Sequence, residues 1–249
     1  MTRGIPPTTG TPGRIPPGGA APERAEIVLF DAGGTLITID YERLRGVLDP
    51  GPGAPDDGAF ERAEGIARTW ADVAVRRRLA PRELWDGYFG RLLENVGVAR
   101  EALPTALERL WQANRELGLW RRPVPEALPL MERIAGAGRR MAVISNAEGQ
   151  VEGDLRAAGF GPHLETVVDS HLVGVAKPDP RIFAIGLERL GATPGQCVYV
   201  GDVPAFDVVG ARAAGITPIL LDPWEIHAAL DDEVFRVRSL ADVAALLGV

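Results

Sequence analysis

The 249-residue chain holds one cysteine, Cys197, one lysine, Lys177, and only three histidines. A single thiol excludes an internal disulfide and a cysteine-based zinc site, and it makes the cytoplasm the expected compartment. His163, His171 and His227 are scattered and lack metal-ligand spacing. No apolar run approaches the roughly 20 residues needed to cross a bilayer. Positive charge is also short: 27 basic against 34 acidic residues leave a net charge of −7. Nucleic acid and anionic membrane surfaces need a clustered basic face, so neither is expected as a partner. A small anionic substrate remains compatible, because a local positive pocket does not show in the total.

The chain does have enough apolar residues for a core. At 46% hydrophobic it can bury one good core and a smaller appended unit. Residues 1–24 are rich in proline and glycine and contain no apolar segment like that of a signal peptide, so they read as a disordered tail. From Met141 onward, short apolar runs alternate with helical patterns, which is the mark of βαβ units and a parallel sheet. Strands are predicted over 141–144, 166–168, 197–200, 217–221 and 234–237, with helices over 150–158, 180–190 and 206–214. Ser239 caps a last helix. Residues 41–119 show helical periodicity only, over 42–48, 58–79, 81–96 and 103–117, with a Pro/Gly-rich loop at 49–57. The expected architecture is an open parallel sheet with helices on both faces, Rossmann-like, formed by 25–40 and 120–249. The all-helical block 41–119 is inserted into it.

In such sheets the ligand lies beyond the carboxyl ends of the strands. The apolar run Ile27-Val28-Leu29-Phe30 ends at Asp31, followed by the turn Ala32-Gly33-Gly34-Thr35. Other strand ends present Ser145 with Asn146, Lys177, and Asp202 with Asp207. A carboxylate nucleophile, hydroxyl and backbone donors, a cation and a metal-binding acid together suit phosphoryl transfer. Lys177 stands out because every other basic side chain is arginine. A compact ammonium serves where a guanidinium fork would not fit.

These four segments resemble, in order, the motifs of the haloacid dehalogenase (HAD) superfamily, subfamily I, and 41–119 sits where that family carries a C1-type helical cap. The resemblance implies that Asp31 forms an aspartyl-phosphate. It implies that Ser145 and the Asn146 backbone hold the phosphoryl oxygens, and that Lys177 neutralises the phosphate and Asp31. Mg²⁺ would be held by Asp31, Asp202 and the Gly33 carbonyl, with Asp207 orienting Lys177 or metal-bound water. The substrate implied is a small phosphorylated metabolite.

One letter departs from the family's DxDGT motif: the second aspartate is Gly33. Loss of a positioned general acid-base typically lowers rate by ~10²–10⁴. The residues therefore leave two readings open: a slow phosphatase, or a binding or regulatory protein with a Mg²⁺ and phosphate pocket. Dehalogenase-like chemistry fits less well, because it would replace that aspartate with tyrosine and would not need Asp202. Phosphonatase-like chemistry needs a cap lysine, and there is none. On the helical block, Trp70, Trp85, Tyr88 and Trp111 are expected to pack. Arg76-Arg77-Arg78 reads as a solvated face, with recognition of an anionic substrate tail as its functional alternative.

Overall fold

The computed structural model describes residues 13–48, 54–77, 79–230 and 234–249. In chain order its elements are β1 (Ile27–Phe30), β2 (Ile37–Ile39), α1 (Tyr41–Leu48), α2 (Asp57–Arg76), α3 (Pro81–Asn95), α4 (Leu103–Leu117), β3 (Trp120–Pro123) and α5 (Ala127–Gly136). They continue with β4 (Arg140–Ser145), α6 (Val151–Ala157), β5 (Thr166–Asp169), α7 (Ser170–Val173), α8 (Pro180–Leu190), β6 (Cys197–Gly201), α9 (Asp207–Ala213), β7 (Thr217–Leu221), β8 (Phe235–Val237) and α10 (Leu240–Leu247).

Six strands form one sheet in the order β5-β4-β1-β6-β7-β8, parallel at every pairing. Strand side chains alternate between the two faces. Val28 and Phe30 join Leu130 and Ile134 of α5 and Leu247 of α10. Ile27 and Leu29 join Ile182 and Phe183 of α8 and Ala211 of α9. With helices on both faces no strand residue needs to be polar, which is why 27–30 is a continuous apolar run. The expected doubly covered parallel sheet is the fold observed.

The helices start and stop for local reasons. The Asp56 carboxylate accepts from the Ala59 amide at 2.7 Å and opens α2. Asp179 does the same for α8 through the Arg181 amide at 2.9 Å, and Gly191, at φ 59°, ends that helix. Helices α1–α4 enclose a separate apolar cluster that includes Phe60, Phe89, Leu92 and Leu110. Trp85 is buried in it, 5.1 Å from the Trp111 ring. Trp70 stacks under the Arg91 guanidinium at 4.1 Å. Among the described residues no helix is long and apolar enough to cross a membrane.

Three features differ from the sequence expectation. Strands β2 and β3 pair as a short antiparallel ribbon where the chain enters and leaves the helical block. Thr38 in the first run and Arg121, Arg122 and Pro123 in the second interrupt the apolar pattern by which the other strands are read. Helix α5 was not expected between that block and β4. Residues 13–24 are not a free tail: Ala20 and Pro22 are buried, and the Thr217 hydroxyl donates to the Ala20 carbonyl at 2.6 Å. Proline-restricted backbone loses little entropy on docking, so composition alone misreads this segment. The first 12 residues of the expected tail, residues 49–53 of the expected loop, and Arg78 lie outside the described residues.

Cys197 begins β6 at 0% exposure, and burial pushes its thiol pKa up to about 12. A disulfide thiol reagent at pH 8 should therefore consume no thiol in the native protein and one equivalent in denaturant. Rapid stoichiometric labelling of the native protein would contradict this placement.

Candidate active site

Strands β1, β4 and β6 are neighbours and end at the same edge of the sheet, so their last residues meet. Asp31 follows β1, Ser145 ends β4, and Asp202 follows β6. Lys177 comes from the loop between α7 and α8, and Asp207 opens α9. Asp31, Ser145, Lys177, Asp202 and Asp207 are all buried, between 1% and 7% exposed, so their charges must satisfy one another. The structure brings every sequence-selected site residue to this edge.

Lys177 organises the group. Its Nζ lies 2.8 Å from Asp31 Oδ1, 2.7 Å from Asp207 Oδ1 and 2.8 Å from the Tyr199 hydroxyl. Burial alone would lower its pKa, but Asp207 and Asp31 outweigh that and hold it above the usual lysine value. Burial pushes the Asp31 carboxyl up, Lys177 opposes this, and Asp207 reinforces it. Tyr199 lies between Lys177, Asp207 Oδ1 at 3.1 Å and the Ile144 carbonyl at 2.9 Å; burial and Asp207 raise its pKa well above normal. Sequence reasoning missed Tyr199, although a phenol among aliphatic strand residues is a visible signal. The Asn146 side chain is already committed, since its Oδ1 accepts from Lys177 N at 2.7 Å and its Nδ2 donates to Lys177 O at 3.0 Å.

Carboxylate oxygens of Asp31, Asp202 and Asp207 lie within 4.8 Å of one another, close enough to share a cation. Asp207 is the least available of the three. Its Oδ1 takes Lys177 and Tyr199, and its Oδ2 accepts the Asp202 and Val203 amides at 3.0 and 2.9 Å. Asp202 Oδ1, by contrast, is buried with no hydrogen-bond partner among the described residues. Asp31 and Asp202 thus form a hard-oxygen pair of the kind Mg²⁺ prefers.

The other Asp202 oxygen is taken by Arg68 of α2, which sequence reasoning also missed. Glu64 Oε1 accepts from Arg68 Nε and NH2 at 3.0 and 2.7 Å. The Glu64–Arg68 spacing of four residues is legible in the sequence, but its partner 134 positions away is not.

A cavity of about 270 Å³ opens over Asp31, Ser145, Lys177 and Asp202. Its far wall is mainly apolar and includes Leu84, Trp85, Tyr88 and Trp120. Trp85 and Tyr88 therefore line the cavity as well as packing. Glu148 also lines it, and partial burial raises its carboxyl pKa. The Gly33 position is covered: a Cβ there would lie 3.3 Å from Trp120 Cδ1. Gly34, at φ 83°, is forced to be glycine, since a Cβ would sit 2.3 Å from Asp202 Oδ2.

Residues 25–215 match the model of the haloacid dehalogenase-like hydrolases. A phosphoserine phosphatase of Thermus thermophilus is 33% identical over 255 residues, spanning 89% of this chain and 100% of that protein. (S)-2-haloacid dehalogenase 1 of a Pseudomonas species is 25% identical over 224 residues, spanning 88% of this chain and 95% of its own length. The fold is shared with YfnB, a HAD hydrolase of Bacillus subtilis solved with magnesium, at a TM-score of 0.67 and 16% identity over 91% of this chain and all of that one.

Removing Lys177 leaves two buried carboxylates facing each other. Lys177→Met should cost about 3–5 kcal/mol of stability in urea denaturation at pH 8. Without the ammonium that opposes the effect of burial, Asp31 favours a proton more in the folded than in the unfolded chain. The deficit should therefore shrink as pH falls toward 5. A pH-independent loss would mean that the charges are not the cause.

Proposed function

This chain belongs to the haloacid dehalogenase-like hydrolase family, and from that premise we propose that it is a Mg²⁺-dependent phosphatase of small phosphorylated metabolites. The observation that carries this reading is Lys177 Nζ at 2.8 Å from Asp31 Oδ1, beside Asp202 Oδ1, partnerless among the described residues, at the floor of one cavity. The block 41–119 acts as the cap over that floor.

In the proposed reaction an Asp31 carboxylate oxygen attacks phosphorus, the ester oxygen leaves, and water then hydrolyses the aspartyl-phosphate. Lys177 offsets the charge that Asp31 and the phosphoryl group bring together. The Ser145 hydroxyl and the Asn146 backbone N–H hold phosphoryl oxygens; the Asn146 side chain is excluded from that task because it holds the Lys177 backbone. Mg²⁺, held by Asp31, Asp202 and the Gly33 carbonyl, would neutralise phosphoryl charge. Asp207 keeps Lys177 in place.

No side chain at Gly33 can protonate the leaving oxygen, and the Trp120 ring lies against that position. The apolar cavity wall and the missing acid both favour esters whose leaving group is apolar and already acidic, such as aryl phosphates.

A second reading, hydrolytic dehalogenation of a small haloacid, is favoured by one observation: the Arg68 guanidinium lines the same cavity. A departing halide needs no proton, only a cation nearby.

Mg²⁺-dependent phosphate release should be seen from aryl and acyl phosphates and should disappear in Asp31→Asn. Halide release from 2-haloacids with no phosphate release would support the second reading instead, and no product from either panel would leave a binding protein. Gly33→Asp alone should raise turnover of alkyl phosphates only weakly, because a Cβ at 33 already meets Trp120 Cδ1 at 3.3 Å and the indole must give way. Gly33→Asp with Trp120→Leu should raise it, by up to about 10². A full gain from the single change would show that Trp120 is no obstacle.

A further inference from the structure

Helix α2 carries Glu64, Arg68 and Asp72 at intervals of four, which places three charged residues on one helix face. Glu64 and Asp72 are buried, at 1% and 8% exposed, and only 10% of the Arg68 side chain is exposed. A face of that kind is usually solvated; here it docks on the loop that follows β6. Arg68 holds the side chain of Asp202 at one end of this loop, and Asp72 Oδ1 accepts the Ala205 amide at 3.0 Å at the other. Behind Arg68, the remaining oxygen of Glu64 accepts the Tyr41 hydroxyl at 2.6 Å, and the Trp224 ring stacks at 5.0 Å from the guanidinium carbon. The proposed phosphatase reaction assigns these α2 residues no role.

We propose that Arg68 is a positioning residue that sets the docking of α2 against cation binding at Asp202, so that each weakens the other. The inference rests on the reading of Asp202 as a metal ligand. The docked guanidinium places a full positive charge on the same carboxylate that a divalent ion must use. Like charges sharing one carboxylate in a buried site repel strongly. Docked α2 therefore lowers metal affinity, and by linkage a bound ion lowers the docking of α2 by the same factor. Asp72 takes part only through docking, since it holds the loop by the Ala205 amide.

The test is calorimetric titration of Mg²⁺ into the full chain, comparing wild type, Arg68→Gln and Asp72→Ala, with hydrogen exchange of α2 amides measured with and without Mg²⁺. Both variants should bind Mg²⁺ more tightly, by about fivefold or more. Mg²⁺ should speed α2 exchange in the wild type and leave it unchanged in Arg68→Gln. A merely structural contact would not make metal binding tighter when lost. Equal or weaker Mg²⁺ binding in both variants overturns the linkage while leaving the metal site standing. Absence of Mg²⁺ binding in all three proteins removes the metal site and the linkage together. Should Arg68→Gln not fold, Asp72→Ala decides by itself.

Discussion

The ammonium group of Lys177, buried between Asp31 and Asp207, is the constraint on which the rest of the site depends. The ammonium donates hydrogen bonds to Asp207 Oδ1 and the Tyr199 hydroxyl and forms an ion pair with Asp31 Oδ1. Burying any one of these ions alone would cost several kcal/mol, and their mutual attraction offsets that. The network also fixes the local chain. Tyr199 reaches across to β4 through the Ile144 carbonyl, while Asn146 grips the Lys177 backbone from the other side. A guanidinium, with its flat fork, could not serve three partners converging on one nitrogen, which accounts for lysine here in a chain that otherwise uses arginine.

A second buried network, Tyr41–Glu64–Arg68, meets the first at Asp202. The Asp202 backbone N–H belongs to the sheet side, donated to Asp207, while its carboxylate belongs to the helical side through Arg68. One residue thus joins the core to the inserted block. The short β2–β3 ribbon adds the covalent connection, so the cavity wall bearing Trp85, Tyr88 and Trp120 is held at a defined height over Asp31.

Much of this was readable from the sequence, and the limits have physical causes. The sheet was legible because buried parallel strands are predominantly apolar and stop at turn residues, as 27–30 and 217–221 do. Asp31, Ser145 and Asp202 were legible because strand ends are where a parallel sheet presents polar groups, and Lys177 because it is the one lysine among arginines, although it sits in the loop between α7 and α8. Arg68 and Asp72 were not, because helical periodicity marks them as a polar face and says nothing of what covers it. Trp120 was missed for a similar reason: its importance lies in the space over Gly33, which no local pattern records. The docking of residues 13–24 is a tertiary effect that overrides composition.

The single lysine has a chemical consequence for the whole surface. Lys177 is 3% exposed and is followed by Pro178, so the one ε-amine of the chain is shielded by the fold and its peptide bond is a poor substrate for lysine-specific proteases. Amine-directed acylation, glycation, aldehyde crosslinking and ubiquitin-type conjugation find no lysine to address on the folded molecule. Enzymes or reagents that mark proteins through lysine would pass this one by, and any covalent control of its surface has to use other side chains.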